Sequence, residues 1–133
     1  MDNSGPLILY AEDEEILAEL AVTALEDAGF RVARFRSSAQ AMAALDERGG
    51  EFGAMVTDID LGPKPDGWGV AQHARELHPD MPVVYVSGGH SADWASRGVP
   101  GSIMIAKPYA AGQLVVAVST AMLGAEPHGD KGD

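Results

Sequence analysis

Val56-Thr57-Asp58-Ile59-Asp60 closes an apolar run that begins at Phe52, and it hangs a carboxylate on the tip of what reads as a buried strand. An earlier run, Leu7-Ile8-Leu9-Tyr10-Ala11, ends on two more carboxylates, Glu12 and Asp13. Two later runs end on a hydroxyl, Ser87, and on an ammonium, Lys107. If these strands are parallel neighbours, all of these groups meet at one edge of a sheet. Carboxylates crowded in that way repel one another and need a cation beside them. Those residue types in that order imply an aspartate that takes a phosphoryl group next to a bound magnesium ion.

The rest of the chain supplies the strands and helices this requires. Residues 6–11 read as a strand. Residues 14–28 read as a helix, with Leu17, Leu20, Ala21, Ala24, Leu25 and Ala28 inward and Gly29 as its stop. Residues 30–35 alternate apolar and basic, as in a half-exposed strand. Ser37 or Ser38 caps a second helix with Ala41, Met42, Ala44 and Leu45 inward, ended by Gly49-Gly50. Residues 52–58 form the third strand. The loop Gly62-Pro63-Lys64-Pro65-Asp66-Gly67 is rich in breakers. A third helix runs through Trp68, Val70, Ala71, Ala74 and Leu77 and stops at His78-Pro79. Residues 83–87 form the fourth strand, 91–97 allow only a short helix, and 102–106 form the fifth strand. The last helix, 110–123, has Leu114, Val115, Val118 and Met122 inward. Residues 1–5 read as an extension, and 124–133 as a polar, disordered tail.

Five strands alternating with five helices imply an α/β fold, a parallel sheet covered on both faces. Right-handed crossovers favour the doubly wound order 2-1-3-4-5, in which the first and third strands are adjacent. Ligands of such sheets sit at that switch point, beyond the carboxyl ends of the strands. The acidic residues occupy those ends.

Composition narrows the function. A chain of 133 residues makes one domain with a real core, read here as residues 6–123. A formal net charge of −11 argues against a basic patch for nucleic acid and against an anionic membrane surface. With no cysteine, disulfides and thiolate metal sites are excluded. The N-terminus lacks the features of a signal peptide, and no apolar stretch reaches membrane-spanning length, so a cytoplasmic location is expected.

Asp58 is the candidate nucleophile, and Glu12 and Asp13 are the candidate metal ligands, with Asp58 completing the set. Lys107 would pair with Asp58 and then with phosphoryl oxygens. Pro108 fixes the backbone after it, with a cis bond as one way of doing so. Ser87 could hydrogen-bond the phosphoryl group, and Gly88 leaves room for a donor. The side chain of Asp60 is expected to point away from Asp58; its main-chain carbonyl is a further candidate ligand. His73, His78, His90 and His128 share no ligand spacing and read as structural or solvated, with His90 nearest the site. Trp68 and Trp94 read as packing.

Taken together, Glu12-Asp13, Asp58, Ser87-Gly88 and Lys107-Pro108, with the stretches 57–62 and Asp66-Gly67, resemble the receiver domain of two-component response regulators. The likeness covers residues 6–123 and implies the flavodoxin-like receiver fold. It further implies that a histidine kinase or histidine phosphotransfer protein donates to Asp58, and that Glu12, Asp13, Asp58 and the Asp60 carbonyl bind Mg2+. Ser87 and Lys107 would be the switch residues, in a monomer or weak dimer. Such a domain is a phosphoacceptor with self-phosphorylation and self-dephosphorylation chemistry and not an enzyme with a separate substrate. Three features depart from the pattern. Met104 stands where the family usually has an aromatic residue, the fourth helix is short, and the loop after Asp58 is long with two prolines. No output domain is read after the fifth helix, so the expected output is a protein contact, or the domain is a phosphate sink.

The alternative is a haloacid-dehalogenase-like phosphatase using Asp58 and Asp60. Against it, Glu12 and Asp13 precede the nucleophile, and the acids after Lys107 are Glu126, Asp130 and Asp133 in the tail. A flavin carrier is disfavoured because Glu12-Asp13 would repel a phosphate, and an inert pseudo-receiver because the acid–lysine set is complete.

Overall fold

The structure, a computed structural model, describes residues 5–62, 65–89 and 91–124. His90, His128, most of the expected N-terminal extension and the expected tail beyond Gly124 lie outside these residues.

The strands are β1 (Leu7–Ala11), β2 (Arg31–Phe35), β3 (Phe52–Asp58), β4 (Val83–Ser87) and β5 (Ile103–Ala106). They alternate with α1 (Glu15–Asp27), α2 (Ser38–Arg48), α3 (Gly67–Leu77), α4 (Trp94–Arg97) and α5 (Ala111–Gly124). The sheet is wholly parallel, in the order β2-β1-β3-β4-β5. Every expected element is present and the topology is the doubly wound one.

Both faces of the sheet are buried, which is why the strands read as near-continuous apolar runs. Successive side chains go to opposite layers. Ile8, Tyr10, Val56 and Val86 join Leu25, Leu114 and Val118 on the α1/α5 side. Leu9, Met55, Val83 and Tyr85 join Leu45, Trp68 and Ala71 on the α2/α3 side. With apolar layers on both sides, a polar residue can leave this sheet only at its ends.

Helix ends follow from local chemistry. The Ser37 hydroxyl accepts the Gln40 N–H at 3.1 Å and caps α2, and the Asp66 carboxylate accepts the Gly69 N–H at 3.1 Å and caps α3. Gly29, at φ 101°, takes the left-handed turn that ends α1.

The inner faces differ in part from the expectation. The buried residues of α1 are Ala18, Ala21 and Leu25, while Leu20 is 64% exposed and Ala28 is exposed. Apolar residues cover more than half the circumference of α1, and the small Ala18 and Ala21 are the side that lets the helix lie close to the sheet. In α5, Leu114 and Val118 are buried as expected, Val115 and Met122 pack partly buried against the same core, and Ala117 and Ala121 are buried with them. Leu77 ends α3 at the surface, and Gly124 belongs to α5 and not to the tail. None of the four residues of α4 is buried. Trp68 is buried against Tyr85, with ring centroids 4.7 Å apart, whereas Trp94 is half-exposed and donates to the Ser102 hydroxyl at 2.9 Å.

Candidate functional site

The carboxyl end of the sheet gathers the polar tips of β1, β3, β4 and β5. Glu12 continues the β1–β2 ladder by one residue, its N–H donating to the Phe35 carbonyl at 3.0 Å. That bond fixes the direction of its side chain, which is 1% exposed. One carboxylate oxygen, Oε2, accepts the Glu14 N–H at 3.1 Å and so serves the start of α1, where Glu14 itself makes no side-chain cap. The other, Oε1, has no hydrogen-bond donor among the described residues and faces Lys107 Nζ at 3.4 Å.

Asp58 stands at the tip of β3, its carboxylate 3% exposed. Its Oδ1 accepts the Asp60 N–H at 3.1 Å, and its Oδ2 lies 3.3 Å from Lys107 Nζ. After the loop that follows, α3 starts back against this strand end, the Gly67 N–H donating to the Ile59 carbonyl at 2.9 Å. A Cβ on Gly67 would collide with the Asp58 carbonyl oxygen, so only glycine lets α3 begin against the backbone of this residue.

Lys107 follows β5, its N–H bonded to the Ser87 carbonyl at 2.8 Å, and the Lys107–Pro108 peptide is cis. The ammonium reaches across to β1 and β3 and also lies 3.7 Å from Glu14 Oε2. The Ser87 hydroxyl, at the buried tip of β4, accepts the Gly89 N–H at 3.1 Å. Carboxylate oxygens of Glu12, Asp13 and Asp58 all lie within 4.8 Å of one another. A cleft of about 550 Å³ opens over them, lined by Asp13, Glu14, Asp58, Asp60, Gly88 and Lys107.

One lysine against these acids leaves a surplus of negative charge. Burial, and then the Asp58 charge, push the Glu12 carboxyl up to about 7, with the Glu14 amide and Lys107 holding it back. Burial likewise raises Asp58 above its ordinary value, against the pull of Lys107 and the Asp60 amide. Burial would lower Lys107, but Asp58 and Glu12 outweigh it and hold the ammonium charged. Hard oxygen donors, a buried carboxylate oxygen lacking a hydrogen-bond donor and three carboxylates within one ion's reach fit a small divalent cation such as magnesium.

The structure therefore brings together Glu12, Asp13, Asp58 and Lys107, with Ser87 one strand away. Asp60, an exposed residue, is also part of the cleft lining, and its amide holds Asp58. One contributor was not legible as such: Glu14 looks in sequence like any helix-start acid. His73 bridges to Asp46 at 2.7 Å between α3 and α2, and His78 sits over Gly49, both remote from the cleft.

Comparison with known proteins agrees with this geometry. The response regulator receiver domain family matches residues 8–119. The chain is 31% identical over 114 residues to the sensor kinase CckA of Brucella abortus, a match spanning 84% of this chain and 12% of that protein. It is 37% identical over 81 residues to the response regulator receiver protein CpdR of the same organism, spanning 61% of this chain and 65% of that one. The chain thus spans less than two thirds of the length of these curated relatives. The crystal structure of a response regulator receiver protein from Sinorhizobium medicae superposes with a TM-score of 0.88 at 43% identity, covering 94% of this chain and all of that one.

Proposed function

The chain belongs to the response regulator receiver domain family, and on that premise we propose that Asp58 is a phosphoacceptor. A carboxylate oxygen of Asp58 attacks the phosphorus of a phosphohistidine on a histidine kinase or phosphotransfer protein. The P–O bond forms as the P–N bond breaks, the imidazole leaves, and an acyl phosphate remains on Asp58. Water later cleaves it, releasing phosphate and restoring the carboxylate.

The observation that carries this reading is the buried acid cluster with a single lysine, in which Glu12 Oε1 lacks a hydrogen-bond donor. Glu12, Asp13, Asp58 and the Asp60 main-chain carbonyl are the groups that would hold Mg2+, which when bound supplies positive charge for the phosphoryl oxygens. The Asp60 amide orients the Asp58 carboxylate, and the Lys107 ammonium turns from Asp58 to the incoming phosphoryl oxygens. The Ser87 hydroxyl, whose oxygen accepts the Gly89 amide, donates its proton to a phosphoryl oxygen, drawing the β4–α4 segment inward and altering the surface offered to a downstream protein. Among the described residues no helix is long and apolar enough to cross a membrane. The proposed setting is the cytoplasm, where phosphohistidine donors of this class act.

The test is transfer of label from a radiolabelled phosphohistidine protein in the presence of magnesium. The label should appear on the wild-type chain as a hydroxylamine-labile acyl phosphate and be absent from Asp58→Asn. Repeated hydrolysis of a phosphomonoester, with no dependence on a phosphohistidine donor, would instead support the phosphatase reading.

A further inference from the structure

The loop from Glu12 to Glu14 carries two of the candidate metal ligands amid mutually repelling carboxylates, and something must hold it in place. Beyond the Glu12 N–H bond to Phe35 and the Glu14 N–H bond to the Glu12 carboxylate, a side chain of β2 does so. Arg34 directs Nε and Nη2 at the main-chain carbonyl of Glu12, at 3.1 and 2.8 Å, and Nη1 at Glu15 Oε2, at 3.1 Å. One guanidinium thus joins the last residue of the β1 ladder to the first residue of α1, bridging the loop between them. Its side chain is 13% exposed. Arg36 Nη2 holds the same Glu15 carboxylate from outside at 3.0 Å.

We infer that Arg34 is a positioning residue for the divalent-cation site, acting by fixing the Glu12–Glu14 loop through its fork on the Glu12 carbonyl. This rests on the magnesium reading above. The effect is geometric and not electrostatic: a positive charge near a cation site opposes binding, and here Glu15 takes up that charge. Planar, simultaneous bonds to a carbonyl and a carboxylate are what arginine offers and lysine does not.

The same strand contains its own control. At its other end Arg31 Nε donates to the Gly5 carbonyl at 2.7 Å, the same kind of bond on the same strand, remote from the acids. Arg31→Ala and Arg34→Ala change the net charge equally and each remove an arginine–carbonyl contact.

Magnesium alone is titrated into wild type, Arg31→Ala, Arg34→Ala, Arg34→Lys and Asp13→Asn by calorimetry, and hydrogen exchange at the Glu14 amide is followed without metal. Arg34→Ala and Arg34→Lys should bind magnesium about tenfold more weakly than wild type. Both should exchange the Glu14 amide faster, and Arg31→Ala should match wild type in both measurements. Wild-type affinity in Arg34→Ala, an equal loss in Arg31→Ala, or full recovery with lysine would each overturn the role of Arg34. The last two would point to general stability and to charge respectively. If Asp13→Asn loses binding while Arg34→Ala keeps it, the metal site stands and this inference alone falls. If wild type binds no magnesium, the metal reading falls and takes this inference with it.

Discussion

The two ends of one sheet carry clefts of nearly equal size and opposite character. At the carboxyl end, about 550 Å³ opens over Asp58, Asp13, Glu14 and Lys107. At the amino end, about 520 Å³ opens among Gly49, Phe52, His78, Met81, Pro82 and Met122. Volume does not distinguish them. The difference is that the carboxyl end buries two carboxylates, Glu12 and Asp58, against one lysine, whereas the amino end is lined by glycines, apolar side chains, half-buried His78 and exposed Asp80 and buries no carboxylate. Burying ionised groups costs folding free energy unless partners compensate it, so two buried carboxylates sharing one lysine mark the end where a ligand is expected.

The largest contrast is expected in phosphorylation. Asp58→Asn should abolish acylphosphate formation entirely, measured by label transfer, because Asp58 lines the cleft while held by the Asp60 amide and Lys107, whereas Glu12, held in the same way by the Glu14 amide and Lys107, does not line it.

Next comes Gly67→Ala. Its new methyl meets the Asp58 and Ile59 backbone, which cannot retreat without moving β3, and the expected loss is about 3 kcal/mol in urea denaturation. At the opposite end, Gly53→Ala places its methyl 3.2 Å from the Pro6 side chain, and the expected loss is under about 1 kcal/mol.

The pH dependence of stability should be smaller but just as specific. The Glu12 carboxyl, at about 7 in the fold, lies above its ordinary 4.5. Its contribution to stability is therefore complete below about pH 4.5 and is lost as pH rises through about 7. Asp58 is raised as well and adds in the same direction. Without metal, Tm should fall by several degrees from about pH 5 to about pH 8, and Glu12→Gln should remove most of that fall. Magnesium at about a hundred times its Kd should restore about 2.7 kcal/mol at the upper pH, an effect that Asp13→Asn abolishes.

The smallest effect belongs to the amino end. Asp80→Asn should change stability by less than about 0.5 kcal/mol in the same denaturation series and leave label transfer at the wild-type rate.

The carboxyl end was legible in sequence because its signal is chemical. Acids, a serine and a lysine at the ends of apolar runs have few meanings in a parallel sheet, and Glu12, Asp13, Asp58, Ser87 and Lys107 lie at the strand tips as expected. Strand order followed from the alternation of elements and the hand of crossovers. Helix faces were less legible. Leu20 reads as core in a helix with apolar residues most of the way round, and only the closeness of α1 to the sheet selects Ala18 and Ala21 instead. Glu14 and Arg34 were invisible for another reason. A helix-start acid and a basic residue on a half-exposed strand are ordinary surface features until the fold brings one beside Lys107 and the other onto the Glu12 carbonyl.

The most direct test is the intact mass of the protein after incubation with acetyl phosphate, with magnesium and again with a chelator, beside Asp58→Asn. One added phosphoryl group, present with magnesium, lost with the chelator and absent from the variant, is the predicted result. An unchanged mass in folded, magnesium-saturated protein that also takes no label from a phosphohistidine donor, or a phosphoryl group that persists in Asp58→Asn, would contradict it.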